Sequence, residues 1–310
     1  MNPRKLALPA LAAGLLALAA CADLAALPGG NLINDAVDRN AGKVGDNLGN
    51  AVASGEFSKT STYTMEQEYF LGKTVCASVL SRIGGEVLPP GHPASGYVRR
   101  VGTALAYAAA ELRDEQSRPY PLKGFFFVPV TSKAVNAAGA PGGFVSVTTG
   151  VLKAAQSEDE LAAVLAHEIA HVQLGHTMQP IEAARKQEQL TGTLLEGTDQ
   201  VIHAFFGKVV DAGTDFVLDK GFGKKNELEA DALAVQILAS AGYEPTALAA
   251  FLGRLEGAAS KGGFFSRHPP AAERVSALSK VEVVMPAVAP TPAALAARRR
   301  RFLAAQGTVG

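Results

Sequence analysis

The sequence is poor in cysteine, has no excess of charge of either sign, and lacks a long apolar run. Two cysteines, Cys21 and Cys76, occur among 310 residues, so the core has to hold the fold almost unaided. The 29 basic residues balance the 29 acidic ones, which argues against a nucleic-acid-binding surface. The apolar stretch at residues 6–20 would form a helix of roughly 22 Å, too short for the ~30 Å hydrocarbon core of a membrane.

The first twenty residues have the features of a secretory signal. Arg4 and Lys5 precede the apolar stretch, and small residues lead up to Cys21, so we predict that residues 1–20 are a cleaved signal peptide. Residues 18–21, Leu-Ala-Ala-Cys, resemble the lipobox of bacterial lipoproteins. The resemblance implies lipidation of Cys21 and, because Ala22 follows, anchoring to the outer membrane facing the periplasm. An ordinary signal followed by an unmodified cysteine is the alternative.

Composition divides the rest of the chain into three segments. Residues 21–62 are rich in Gly, Asn, Asp and Ala and are expected to be the lipidated N-terminus and a flexible tether. Residues 63–283 carry the periodic apolar patterns of a folded domain, in which Cys76 is expected to be a small buried residue. Residues 284–310 form a Pro-, Ala- and Arg-rich tail. Its basic run, Arg298–Arg301, is expected to be a solvated end, with contact to anionic lipid as the alternative.

Apolar periodicity predicts a mainly helical domain with two strands. The predicted helices are Met65–Ile83, Tyr97–Leu112, a helix from Ser157 to near Gly175, Glu227–Ala241, Pro245–Leu255 and Pro270–Val281. The predicted strands are Lys123–Val130 and Phe144–Thr149, with a loop at Asn136–Gly143. Residues 181–222 have weak helical character interrupted by Gly, and we expect them to form a mobile cover over the site.

The most specific motif is His167-Glu168-Ile169-Ala170-His171. The capping box Ser157–Glu160 begins the helix that carries it, and residues four apart on a helix project from one face. His167 and His171 can therefore bind one Zn²⁺ together. Glu168 reaches the open coordination position instead, where a zinc-activated water would give it a proton, so it is the predicted catalytic base.

A third zinc ligand has to come from elsewhere in the chain. The metzincin motif would require Gly and His at the positions that Leu174 and Thr177 occupy, so it is excluded. Glu227 and Asp231 lie four apart on a predicted helix, and both can face the first one. We predict that Glu227 binds the zinc and that Asp231 accepts the second ring N–H of a ligand histidine.

Three neighbouring residues are assigned local roles from the same patterns. Asn226 is expected to cap the second helix, with Glu229 as its capping-box partner. His176 is expected to end the zinc helix, where its charge suits the helix dipole.

Together these motifs resemble the HtpX-like zinc metallopeptidases, the family that includes the CAAX prenyl protease, and most of all its exported BepA-like and LoiP-like branch. The resemblance spans about residues 64–283 and also rests on residues 136–143, on residues 149–152, and on His268-Pro269-Pro270 with Arg274. It implies that residues 63–283 are a zinc metallopeptidase domain with an α+β fold. That fold would be a zincin of the gluzincin type, mainly helical with a small mixed or antiparallel sheet beside the active-site helix.

The resemblance also implies how a substrate binds. The strand residues Phe144, Val145, Ser146 and Val147 would lie along the cleft, and an extended or unfolded protein would add to their edge by main-chain hydrogen bonds. His268 would be a regulatory fourth ligand or an oxyanion donor, unless it only caps the Pro270 helix. Arg274 would contact the substrate or hold its loop through a carboxylate.

The sequence therefore predicts a lipid-anchored zinc endopeptidase of the bacterial envelope. Misfolded or misassembled proteins are its expected substrates, and an envelope assembly machinery is a candidate partner. Two alternatives stay open. The chain is a chaperone or scaffold that holds substrates in the same groove, or a peptidase that His268 or the 181–222 segment keeps shut.

Overall fold

The computed structural model describes residues 63–114, 117–190, 199–256, 271–283 and 290–310. They form an α+β fold that is mainly helical and contains one small mixed sheet, which confirms this part of the prediction. The predicted signal peptide, the tether, Cys21 and His268 all lie outside the described residues. Within the described ranges, no helix combines the length and the apolar character that crossing a membrane requires.

The secondary structure follows most of the predicted pattern. The helices are α1 (Met65–Ile83), α2 (Pro93–Glu111), α3 (Thr149–Ala154), α4 (Glu158–Gln173), α5 (Gln179–Leu190), α6 (Asp199–Asp215), α7 (Lys224–Ser240), α8 (Ala247–Glu256), α9 (Ala271–Leu278) and α10 (Pro292–Gln306). The strands are β1 (Phe126–Val130), β2 (Ala137–Ala140) and β3 (Phe144–Thr148). Short 3₁₀ turns occur at Pro141–Gly143 and His176–Met178, and a π-helical turn, Phe216–Lys220, follows α6.

The sheet contains a strand that the sequence did not predict. The segment expected to be a loop, Asn136–Gly143, includes β2, which pairs antiparallel with β3. Its sequence, Ala-Ala-Gly-Ala, has low strand propensity, so the pairing partner and the packing against α4 determine its conformation. A Cβ atom on Gly139 would lie 2.9 Å from the Glu168 carbonyl oxygen, so only glycine allows this close approach.

The strand order β1-β3-β2 places β3 in the middle of the sheet. β3 pairs in parallel with β1 and antiparallel with β2. Its main-chain groups are therefore used on both sides, and the predicted role of Phe144–Val147 as a substrate edge is wrong. The outer edge of β2 is the one turned toward α4, since the Gly139 N–H donates a hydrogen bond to Glu168 Oε2 at 2.7 Å.

Two apolar clusters cover the two faces of the sheet. Phe127 and Val145 point into the larger cluster, which contains residues of α2, α4, α7 and α8. Phe126 and Phe144 point into the smaller cluster, against α1 and α6. The alternation along β1 is the two-residue period of a strand. Cys76 belongs to the smaller cluster and is 2% exposed, as predicted.

The N-terminus of α4 is capped by the predicted residue. Ser157 Oγ accepts the Glu160 N–H at 3.2 Å. The second half of the predicted capping box differs, because Glu160 Oε2 accepts the N–H of Gln156 rather than that of Ser157. Glu160 also pairs with Arg254 of α8. This carboxylate therefore connects α4 to α8 as well as capping the start of α4.

The C-terminal segment is helical and packs against the domain, so its prediction as a solvated end is wrong. Arg298 and Arg301 of α10 pair with Glu158 and Asp159 in the first turn of α4. Phe302, which is 2% exposed, lies in the larger apolar cluster. Arginines that looked solvated in the sequence therefore bind carboxylates that lie more than 130 residues earlier in the chain.

Replacing Phe302 by alanine tests whether α10 stabilises the domain. Removing a buried phenyl ring destabilises a domain by about 3 kcal/mol, so we expect the midpoint of urea unfolding of Phe302→Ala to fall accordingly. Leu303→Ala is the matched control, because Leu303 is 50% exposed and its truncation should change stability by less than about 0.5 kcal/mol. Equal midpoints for the two variants would mean that α10 does not dock.

Candidate metal centre

Helices α4 and α7 pack against each other and bring the three predicted metal ligands together. His167 Nε2 and His171 Nε2 lie 3.0 Å apart. Glu227 places Oε2 3.4 Å from His167 Nε2 and Oε1 3.6 Å from His171 Nε2. All three side chains are fully buried. Two side chains one turn apart on α4 and one side chain of α7 thus point to the same place.

This arrangement fits a small divalent cation. A tetrahedral zinc with bonds of 2.0–2.1 Å holds its ligand atoms about 3.3 Å apart. The nearest separations of 3.0, 3.4 and 3.6 Å lie around that value, where each histidine is nearest to a different oxygen of Glu227. Two imidazoles and one carboxylate are also the ligand set of a hydrolytic site, which leaves one position for solvent. The residues present therefore fit a catalytic divalent metal.

Glu168 lies beside this group and is fixed by the sheet. It is 2% exposed, and its Oε2 accepts the hydrogen bond from the Gly139 N–H. The contact joins α4 to the outer edge of β2, so the carboxylate is held at the border between the ligand group and the strand edge. A base needs such fixed placement to act on a solvent molecule at the metal.

On the far side of His167, Asp231 and Arg274 complete a hydrogen-bonded chain. Asp231 Oδ1 lies 3.0 Å from His167 Nδ1, which is the contact predicted for it. Arg274 donates from Nε to Asp231 Oδ2 at 2.8 Å and from Nη2 to Oδ1 at 2.6 Å. Arg274 is fully buried, so of its two predicted roles the structure shows the one in which it holds a carboxylate.

The charges of this chain shift one another's pKa values. Burial and the Arg274 charge lower the pKa of His167, but its hydrogen bonds to Asp231 and Glu227 outweigh them and raise that pKa to about 9. Burial raises the pKa of Asp231, but the hydrogen bonds from Arg274 and His167 outweigh it, so this pKa falls. A metal ion binds the neutral ring, so protonation of His167 opposes metal binding.

The structure corrects the local roles predicted around α7. The helix begins at Lys224 after Gly223, and Asn226 donates its side-chain N–H to Gln179 rather than capping the helix. Glu229 is not a capping partner either, since its Oε2 lies 3.4 Å from His176 Nε2. His176 in turn contacts His171, as their Nδ1 atoms lie 3.0 Å apart. This contact between His176 and the ligand histidine was not predicted from the sequence.

The segment between α6 and α7 contacts the metal centre. The Phe222 ring stacks on the His171 ring, with centroids 3.9 Å apart and planes 21° apart. Phe216 of the π-helical turn contacts Phe222 edge-on at 5.1 Å. The same turn packs against β2. The end of the predicted 181–222 cover therefore lies directly on one ligand and beside the strand edge.

A helix bearing His-Glu-x-x-His, a glutamate from a second helix and a small adjacent sheet define a metal-dependent peptidase. The model of peptidase family M48 matches residues 95–282, and the chain belongs to this family. The match includes all the residues of the metal centre described above and ends shortly after α9.

Similar proteins occur in fungi, plants and bacteria. The chain is 29% identical over 230 residues to the mitochondrial metalloendopeptidase OMA1 of Schizosaccharomyces pombe, covering 72% of this chain and 62% of that protein. It is 28% identical over 224 residues to a putative beta-barrel assembly-enhancing protease of Vibrio cholerae, covering 68% and 41% respectively. It is 31% identical over 159 residues to the OMA1 metalloendopeptidase of Arabidopsis thaliana, covering 50% and 31%. The chain thus spans less than two thirds of the length of these relatives.

Proposed function

We propose that this chain is a zinc-dependent endopeptidase with a zincin fold of the gluzincin type. One observation carries the proposal. One ligand atom from each of His167, His171 and Glu227 lies within 4.8 Å of the other two. Glu168, next to His167 in sequence, is fixed at the adjacent strand. The membership of peptidase family M48 supports the same activity.

Each residue of the centre has a distinct part in the proposed hydrolysis. A bound zinc would act as a Lewis acid and lower the pKa of water to about 7. Glu168 would accept the proton of the attacking water and pass it to the leaving amine. Asp231 and Arg274 would fix the orientation and the tautomer of His167, because the Asp231 carboxylate accepts the Nδ1–H and Arg274 holds that carboxylate.

We propose that substrates bind in an extended form along β2, not along β3. The outer edge of β2 lies next to Glu168, and main-chain pairing there would place a substrate carbonyl beside the metal. Binding by main chain rather than by side chains suits unfolded proteins of varied sequence. An extended chain can reach this edge only after Phe222 and the π-helical turn move away from it.

Replacing Phe222 by alanine tests this closure. An aromatic contact stabilises by about 0.5–1.5 kcal/mol, so its loss should raise the open population, and thus the turnover of unfolded casein, roughly two- to twelve-fold. Phe206→Ala is the control, since Phe206 lies in α6 and is buried in the smaller apolar cluster rather than against His171. A Phe222→Ala variant that keeps its zinc and cleaves no faster than the wild type would argue against a closed ground state.

We further propose that the enzyme is an HtpX-like lipoprotein of the exported branch. It would act in the bacterial envelope on misfolded or misassembled proteins, with an envelope assembly machinery as partner. The lipobox-like residues before Cys21 and the similarity to a protein named beta-barrel assembly-enhancing protease support this role. Radiolabelled palmitate should enter the wild-type protein and not Cys21→Ser. Equal labelling of both would remove the lipid anchor from the proposal.

A further inference from the structure

His171 has a hydrogen-bonding partner that lies outside helices α4 and α7. The His176 side chain, 3% exposed, lies behind His171 with the two Nδ1 atoms 3.0 Å apart. His171 Nε2 points in the other direction, toward His167 and Glu227. His176 is therefore too far around the ring to be a ligand, and its contact is with the ligand's opposite nitrogen.

The backbone after α4 explains how His176 reaches this position. Gly175 has φ 75°, a left-handed conformation that ends the helix and turns the chain back. A Cβ atom at Gly175 would lie 2.4 Å from Arg118 Cδ, so both the conformation and the space require glycine. The turn places His176 over the last turn of α4, where it faces His171 rather than solvent.

We infer that His176 and Glu229 position His171 through a chain of hydrogen bonds. The inference rests on the proposed function and adds residues to its metal centre. If His171 gives its Nε2 lone pair to a metal ion, its hydrogen is on Nδ1 and must be donated. His176 Nδ1 is then the acceptor, so the hydrogen of His176 is on Nε2. That nitrogen lies 3.4 Å from Glu229 Oε2, which accepts. Each tautomer follows from the previous one.

The two ligand histidines are thus supported in parallel ways. His167 donates to Asp231, which Arg274 holds, and this group is buried throughout. His171 donates to His176, and the chain ends at Glu229, whose side chain is 46% exposed and lies 3.7 Å from Lys225 Nζ. The second support therefore runs from the buried ligand to the protein surface, with a neutral imidazole where the first has a carboxylate.

Zinc affinity measured by competition with a chromophoric chelator tests the inference in the full-length protein. His176→Phe keeps a ring beside His171 and Phe222 but removes the acceptor, and should weaken zinc binding roughly 10- to 100-fold. His176→Asn offers an amide oxygen near the position of Nδ1 and should stay within about three-fold of the wild type. The absorption spectrum of the cobalt(II) form should change in His176→Phe and be preserved in His176→Asn.

The outcomes separate the inference from the function on which it rests. A wild-type protein that binds no zinc would remove the proposed function itself. A wild-type protein that binds zinc, together with a folded His176→Phe variant of equal affinity and spectrum, would overturn only the positioning role. If His176→Phe does not fold, Glu229→Leu at its half-exposed position decides instead, with an expected loss of about three- to ten-fold. Unchanged zinc affinity in Glu229→Leu would then overturn the inference.

Discussion

Replacing Glu168 by glutamine should lower kcat for unfolded casein by about 10²-fold or more while leaving zinc content and fold unchanged. The glutamine oxygen can still accept the Gly139 N–H that Glu168 accepts at 2.7 Å, so the side chain keeps its place. It cannot take a proton from water, and the base is lost. The measurement is steady-state cleavage of labelled casein, with bound zinc determined on the same preparation.

Glu66→Gln provides the control, because it makes the same chemical change at an exposed position away from the centre. Glu66 lies in the first turn of α1. It should cleave at the wild-type rate. If Glu168→Gln also cleaves at that rate, Glu168 is not the base. If neither the wild type nor the variant cleaves but both bind unfolded casein, the chaperone alternative replaces the peptidase.

Replacing Arg274 by leucine should lower the free energy of unfolding by roughly 3–5 kcal/mol. Arg274 is fully buried, donates two hydrogen bonds to Asp231 and lies 3.8 Å from Glu227, so its removal leaves two buried carboxylates without this positive charge. Urea unfolding of the chelator-treated protein isolates this effect from any change in zinc binding.

An exposed ion pair of Glu273, which precedes Arg274 on α9, with Lys224 of α7 supplies the comparison. Glu273 and Lys224 form an ion pair at 2.8 Å in which both side chains are at least half exposed, so Glu273→Gln should change stability by no more than about 1 kcal/mol. A loss in Arg274→Leu as small as that in Glu273→Gln would show that the buried carboxylates do not depend on the guanidinium. Arg274 would then need another role.

The centre of the site could be predicted because its information is local. His167 and His171 are one helical turn apart, and Glu227 and Asp231 repeat that spacing, so each helix face follows from sequence alone. The spacing alone does not show that the two helix faces pack against each other. The need for a third ligand on a shared metal ion suggested that they do. The structure brings the four side chains together as that chemistry requires.

The strand arrangement could not be predicted because it is set by pairing between segments. Ala137–Ala140 has no strand signal of its own, and it becomes β2 through its register with β3 and the close approach of Gly139 to Glu168. The resemblance assigned the substrate edge to β3, which pairs with β1 on one side and with β2 on the other. The strand that the sequence did not predict is therefore the one whose outer edge lies next to Glu168.

The other contacts that were not predicted involve side chains whose partners lie far away in the sequence, or whose position depends on a turn of the backbone. Nothing near Arg301 or Phe302 indicates that they meet Glu158 and the core. The contact of His176 with His171 depends on the left-handed Gly175, and a glycine directly after a helix was the available signal.

Metal analysis of the purified protein, paired with casein cleavage before and after chelation, tests the central claim most directly. We expect one zinc ion per chain in the wild type, none in Glu227→Ala, and cleavage that stops with the chelator and returns when zinc is restored. Cleavage that persists in metal-free protein, or full zinc occupancy in Glu227→Ala, would contradict the two-helix metal centre.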